Sequence, residues 1–335
     1  MTGGQGRPGP AETDRPEDAT PPQAAKRPSR RKRWKKQARR ALRFVLLAPL
    51  LLPLGYLPRR LARRLGAAYG HLARISLPKE VRRAETHLAV AFPDAPPKDR
   101  ARLLRETFVS IGLLAVDFLR IGRGRGASLL DGLVVEGLEH LEATERSGRG
   151  TLLVTAHFGN WELLAVYLAR RSRKLHVLYH PFEERRLERF VRKVRDRAGI
   201  RSVSADRPAP ALRALRQGEL VGVLVDRIPH GGVRCEFFGK ECRTAEGAAR
   251  LGLRTGALVL CAALWEDDSA RYRARFWPPM ELAELPKLPK GEEGTGSSEV
   301  ERLCRQFTSW TEELVRMAPE RWPWFYDRWK VRPSR

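Results

Sequence analysis

Apolar residues at Leu104, Phe108, Ile111, Leu114, Phe118 and Ile121 recur at steps of three and four, which predicts a helix opening at Lys98-Asp99-Arg100 and stopping at Gly122. The surrounding stretch, residues 80–125, looks helical. Beyond it the pattern changes, and short apolar runs alternate with longer amphipathic ones. Strands are expected at Gly150–Thr155, Leu175–Tyr179, Ile200–Val203, Leu220–Val225, Leu258–Trp265 and Arg271–Trp277. Helices are expected at Asn160–Arg171, Glu183–Ala198, Pro208–Gln217 and Thr244–Thr255, with a last one at Glu299–Met317 after a Gly/Glu/Ser linker. This β-α-β rhythm predicts an α/β fold whose mostly parallel central sheet is flanked by helices. An aromatic tail, Trp322 to Trp329, closes the ordered part, and no internal repeat is visible.

Upstream of these elements the periodicity disappears. Residues 1–25 are rich in Pro, Gly and Ala and are expected to be disordered. Lys26 to Arg43 then packs eleven cationic residues around Trp34. The apolar stretch Phe44–Leu57 that follows has fourteen residues including Pro49 and Pro53, short of the roughly 20 that a straight helix needs to span hydrocarbon. Arg59, Arg60, Arg63 and Arg64 close it on the far side. Cations on both flanks favour a segment that dips into one leaflet, or a short span extended by snorkelling arginines, over a buried core helix. A signal peptide fits poorly, because the polar region before the apolar stretch is far too long. The resulting division is a disordered basic region at 1–40, a membrane anchor at 41–64 and a main domain at 65–330.

Charge sharpens this picture. The chain carries a formal net charge of +25, and residues 1–79 alone hold nineteen Lys/Arg against four Asp/Glu. Such a block seeks a polyanion, either an anionic membrane or a nucleic acid. Its place beside a proline-broken apolar segment, and the lack of any helix-turn-helix, zinc-finger or RNA-binding signature, favour the membrane. The four cysteines, Cys235, Cys242, Cys261 and Cys304, form no CxxC pair. That argues against a zinc ribbon and a disulfide scaffold alike, and they read as reduced thiols in the cytosol. No metal and no cofactor is expected.

The segment richest in chemistry is Thr155-Ala156-His157-Phe158-Gly159-Asn160-Trp161-Glu162. It lies where a buried strand gives way to a helix, the place where open α/β sheets put their sites. A histidine there suits general-base catalysis, with a carboxylate to hold the ring in one tautomer and stabilise the imidazolium. Two carboxylates qualify. Glu162 lies five residues on, and Asp226 follows the strand Leu220–Val225, so that its side chain would emerge at the same sheet edge. Gly159 leaves room for a ligand to approach the backbone, and the N–H groups that open the helix at Asn160 can receive an anion. His-x4-Glu alone is a weak signal, since it arises often by chance.

Here the spacing does not stand alone. His157-Phe-Gly-Asn-Trp-Glu162 resembles the His-x4-Asp/Glu motif of the glycerolipid acyltransferase superfamily. More narrowly, the chain is similar to the lipid A biosynthesis acyltransferases, the late lauroyl and myristoyl transferases of Gram-negative bacteria. The resemblance runs from about residue 40 onward. It includes the segment HLAVAFPDAPPKDRARLLRETF (His87 to Phe108), Asp226-Arg227, Phe237-Phe238-Gly239, Thr244 with Gly247, and Pro319-Glu320-Arg321-Trp322-Pro323-Trp324. It implies a membrane-bound acyltransferase, EC class 2.3.1, at the cytoplasmic face of the bacterial inner membrane. In that reading His157 deprotonates the acceptor hydroxyl of a lipid A precursor and Glu162 is the motif carboxylate. Acyl carrier protein, an acidic partner, presents the donor thioester. Arg195 matches an Arg-x3-Gly position of the relatives, and Arg227, Arg195 and Arg243, with Arg234 nearby, would meet acceptor phosphates, which guanidinium groups match well. Phe237-Phe238-Gly239 would line an acyl groove or form a core turn. A related acceptor such as phosphatidylinositol mannoside fits the same fold, and a nucleic-acid-binding role is the rival from another class.

Overall fold

The computed structural model describes residues 52–171, 174–227, 231–282 and 298–329. The run Thr151–Thr155 is buried at every position, and so is Leu258–Glu266. Strands apolar on both faces belong in the middle of a sheet covered on both sides, and that is where these two sit. In chain order the strands are β1 (Val134–Glu136), β2 (Thr151–Thr155), β3 (Leu175–Tyr179), β4 (Ile200–Ser204), β5 (Leu220–Leu224), β6 (Val233–Phe237), β7 (Lys240–Thr244), β8 (Leu258–Glu266) and β9 (Tyr272–Phe276). Seven of them form one sheet in the order β1-β9-β8-β2-β5-β3-β4. The five from β8 to β4 run parallel, and β9 is antiparallel to β8.

Ten helices cover this sheet among the described residues: α1 (Arg59–Ser76), α2 (Pro78–Ala91), α3 (Pro97–Gly122), α4 (Gly126–Leu129), α5 (Leu138–Arg146), α6 (Trp161–Arg170), α7 (Arg185–Arg197), α8 (Ala209–Arg216), α9 (Gly247–Thr255) and α10 (Ser298–Met317). Side chains alternate along the strands between two apolar clusters. Leu152, Val154, Val221 and Val223 enter the one shared with α9 and α10, while Leu153, Leu220 and Leu260 enter the one shared with α6 and α7. The mixed α/β architecture and mostly parallel sheet are those expected from the apolar rhythm.

Two features depart from the expectations. Residues 240–244 form β7, which pairs with β6 as a separate antiparallel hairpin, so the helix expected from Thr244 begins only at Gly247. The exposed Arg234, Glu236 and Glu241 had disguised these strands as loop. Phe238-Gly239 is the two-residue turn of this hairpin, with φ of 53° and 68°, a pattern of two positive angles that suits the twist of paired strands. Phe237 and Phe238 are buried among Phe92, Trp322, Trp324 and Trp329, so of the two roles expected for this segment the structure shows the core turn and not the groove.

The second departure concerns the chain before residue 65. The region 1–40 and the first part of the expected anchor, 41–51, lie outside the described residues. From Leu52 to Tyr56 the chain makes a 3-10 turn, and the boundary drawn at 64/65 falls inside α1. Gly66 and Gly70 of α1 press against α3, where a Cβ on Gly112 would come within 2.1 Å of the Gly66 carbonyl oxygen. Arg63 reaches the carboxylate of Glu266 at the end of β8. The start of the described chain is thus docked on the domain. No helix among the described residues is long and apolar enough to cross a membrane.

Candidate active site

Register brings the key groups together. Thr155 at the end of β2 lies beside Leu224 at the end of β5. Each strand then runs on two residues, one to His157 and the other to Asp226, so imidazole and carboxylate arrive level at the carboxyl edge of the sheet. His157 Nδ1 and Asp226 Oδ1 are 2.7 Å apart. The second carboxylate oxygen accepts the His157 backbone N–H at 2.9 Å and the indole N–H of Trp322 at 2.9 Å.

These three contacts decide protonation. Asp226 is 1% exposed, and burial alone would raise its pKa. The adjacent His157 and the three hydrogen bonds outweigh that and hold it at about 2. An ionised carboxylate facing Nδ1 places the ring proton on Nδ1 and leaves the lone pair on Nε2. Among the described residues Nε2 has no hydrogen-bond partner. The ring stands between Trp161 and Tyr326, edge to face with both, at centroid distances of 5.0 and 4.9 Å. Its side chain keeps 16% exposure, enough for a substrate atom to reach it.

The other motif residues are placed differently. Glu162 turns away from His157 and receives two hydrogen bonds from Arg195, at 2.6 and 3.1 Å. Arg195, 6% exposed, also covers the Tyr179 ring at 5.1 Å, so it is committed to tying α7 to α6 and is not presented to a phosphate. Glu162 and Arg195 line a narrow crevice together with Leu164, Leu168, Val177 and Leu224.

Gly159 and Asn160 are likewise engaged with the protein. The Gly159 N–H donates to the Arg321 carbonyl at 2.9 Å, and that of Asn160 to the Leu264 carbonyl at 2.7 Å. Gly159 has φ of 59°, and a Cβ there would meet the Leu264 carbonyl oxygen at 2.2 Å. The glycine is required by the approach of β8, not by a ligand, and neither N–H is free to hold an anion. Arg227 is exposed directly after Asp226, close enough to lower the Tyr326 hydroxyl pKa, which burial and Asp226 nonetheless raise to about 12. Arg243 sits on the β6–β7 hairpin and donates to the Gly232 carbonyl at 3.0 Å, apart from the His157–Asp226 pair.

Sequence reasoning missed Trp322 and Tyr326 as members of this site. The Trp322-Pro-Trp324 run reads as an apolar tail, and only its closure over the edge of β2 and β5 reveals an indole N–H among its apolar rings.

The chain matches the family model described as bacterial lipid A biosynthesis acyltransferase over residues 30–331. It is 25% identical to the lipid A biosynthesis palmitoleoyltransferase of Escherichia coli, across 80% of this chain and 85% of that protein. The lipid A biosynthesis lauroyltransferase of the same organism is 24% identical, across 83% and 88%. A phosphatidylinositol mannoside acyltransferase of Mycolicibacterium smegmatis is 24% identical, across 65% and 72%.

Proposed function

Because the chain belongs to the bacterial lipid A biosynthesis acyltransferase family, and is therefore an acyltransferase, we propose that it moves a fatty acyl group from an acyl carrier protein thioester to a hydroxyl of a lipid A precursor, with His157 as general base. The observation that carries this reading is the His157–Asp226 pair at the sheet edge, with Nδ1 engaged and Nε2 free. Nε2 takes the hydroxyl proton as the oxygen attacks the thioester carbonyl, and Asp226 stabilises the imidazolium that forms. The tetrahedral intermediate then expels the thiolate, which takes the proton back from Nε2. With the Gly159 and Asn160 N–H groups engaged, Arg227, exposed directly after Asp226, is a cation available for the oxyanion or an acceptor phosphate. Direct transfer is favoured over an acyl-enzyme. All four cysteines are buried, and burial pushes the thiols of Cys242 and Cys304 up to about 11 and about 12, far from the thiolate a nucleophile needs.

The surface supplies two further supports. On α7 the exposed Arg185, Arg186, Arg189, Arg192, Lys193 and Arg197 share one broad face, suited to an acidic carrier protein. On α1 the exposed Leu61, Leu65, Leu72 and Ile75 fall within an arc of about 80° at helical spacing. Arg60 and Arg64 are exposed beside this stripe. Apolar side chains rimmed by cations match an anionic lipid surface, which supports our reading of an enzyme at the cytoplasmic face of the inner membrane. Changing all four to serine is expected to weaken binding to phosphatidylglycerol vesicles at least about tenfold, since each buried Leu or Ile contributes about 1.5–3 kcal/mol. Unchanged cosedimentation would remove α1 from the docking surface.

The test of function is mass spectrometry of lipids from cells with and without the gene. Loss of one secondary acyl chain from lipid A is the expected result. The likeness to phosphatidylinositol mannoside acyltransferases makes a deacylated mannoside the second outcome to look for, and an unchanged lipid profile would overturn the reading.

A further inference from the structure

Behind the catalytic turn lies a buried acid that the proposed chemistry does not use. Asp117, near the C-terminal end of α3, is 3% exposed. Its Oδ2 accepts the Tyr272 hydroxyl and, at 3.1 Å, the side-chain amide of Asn160. Asn160 is itself 4% exposed, and its Oδ1 caps α6 by accepting the Leu163 N–H at 3.0 Å. The Asn160 amide nitrogen has a second, longer approach to Tyr272 at 3.5 Å. With Oδ1 committed to the helix, the amide can only point its N–H groups at an acceptor, and Asp117 is that acceptor.

A carboxyl buried at this depth is costly unless its environment satisfies it. The charged and titratable groups that face it come from every neighbouring element. They are Arg59 and Arg63 of α1, Arg120 of its own helix, Glu266 at the end of β8 and Tyr272 of β9. Burial, with Glu266 adding to it, raises the Asp117 pKa to about 6 against the pull of Tyr272, Arg63 and Arg59. An aliphatic side chain would fill the same space without this burden, so the acid is explained by what it holds.

We propose that Asp117 is a positioning residue for the catalytic turn: by accepting the Asn160 amide it fixes the start of α6, and with it the orientation of His157 against Asp226. The proposal rests on His157 being the base. Only Phe158 and Gly159 separate His157 from Asn160, and backbone hydrogen bonds at Gly159 and Asn160 tie this short turn to the start of α6. A shift at the cap therefore passes into the imidazole.

The two residues can be exchanged. In Asn160→Asp the new side chain caps a helix as well as asparagine does, but it sets a second carboxyl against Asp117. If position 160 served only as a cap, this variant would behave as wild type. We expect kcat to fall by about tenfold to a hundredfold with KM little changed, as for a base displaced by a fraction of an ångström. Adding Asp117→Asn restores a donor facing an acceptor and should recover most of the loss. A substrate-free measurement accompanies the kinetics: the proton NMR signal of the His157 Nδ1–H, assigned by its absence in His157→Ala. It should be lost or displaced in Asn160→Asp and return in the exchanged pair. If the single variant does not fold at neutral pH, the comparison is made at pH 5, where one proton shared by the two carboxyls relieves their repulsion. A folded Asn160→Asp variant with the wild-type signal, or an exchanged pair that restores nothing, overturns the proposal. Because the signal needs no acyl donor or acceptor, an error in the assigned substrates leaves this result standing.

Discussion

Replacing His157 with alanine is expected to lower kcat for acyl transfer by between about a hundredfold and ten-thousandfold, the range lost with a general base. The substitution removes the nitrogen proposed to receive the hydroxyl proton and leaves Arg227 and the helical surfaces untouched. Asp226 keeps the residue-157 backbone N–H and the Trp322 indole as donors. It loses its third hydrogen bond and the neighbouring imidazole, so its pKa should rise from about 2. The fold should therefore weaken by about 1–3 kcal/mol, the cost of a buried polar group losing a partner, without collapsing. The measurement is single-turnover transfer from a lauroyl carrier protein, with thermal melting and vesicle binding measured in parallel. Wild-type turnover in a folded variant would dismiss the imidazole as base.

Much of this arrangement is legible in the sequence because the central strands are apolar on both faces over most of their length. The runs at 151–155, 220–224 and 258–266 have no other place to go than the middle of a covered sheet, and the strand-to-helix transition puts His157 at its carboxyl edge. What the sequence leaves open is the choice between Glu162 and Asp226. Separation along the chain favours Glu162, which lies on the same turn. Register decides otherwise, since the pairing of Thr155 with Leu224 joins positions 69 residues apart and is invisible to any local pattern. Glu162 is instead claimed by Arg195, a pairing across two helices. The Gly159 and Asn160 N–H groups look free in a sequence, because nothing local announces that the Arg321 and Leu264 carbonyls will reach them. Charge misled in a similar way at Arg234 and Arg243, where one exposed and one half-buried arginine concealed a hairpin whose other face, Cys235, Phe237 and Cys242, is buried.

Asp226→Asn is expected to be as damaging as loss of the imidazole, although it changes neither shape nor volume. The carboxylate of Asp226 faces three donors: Nδ1–H on one oxygen, and the His157 backbone N–H and the Trp322 indole N–H on the other. An amide has one oxygen. The backbone and indole groups cannot become acceptors, so the amide places its oxygen toward those two and its NH2 toward Nδ1. Nδ1 must then accept, and its proton moves to Nε2, the atom required to carry a lone pair. Turnover should fall by about a thousandfold or more, as expected for a base held in the wrong tautomer, while substrate KM stays close to wild type. The same substitution alters acid stability. A carboxyl held at about 2, below its ordinary 3.8, stabilises the fold above that ordinary value and loses the contribution as pH falls toward 2. The variant should lack this term, so the melting temperatures of the two proteins should converge between about pH 4 and pH 2. Nitrogen-15 NMR of labelled histidine reads the tautomer directly. A variant that keeps its proton on Nδ1, or that turns over at the wild-type rate, would mean that Asp226 does not set the state of the base.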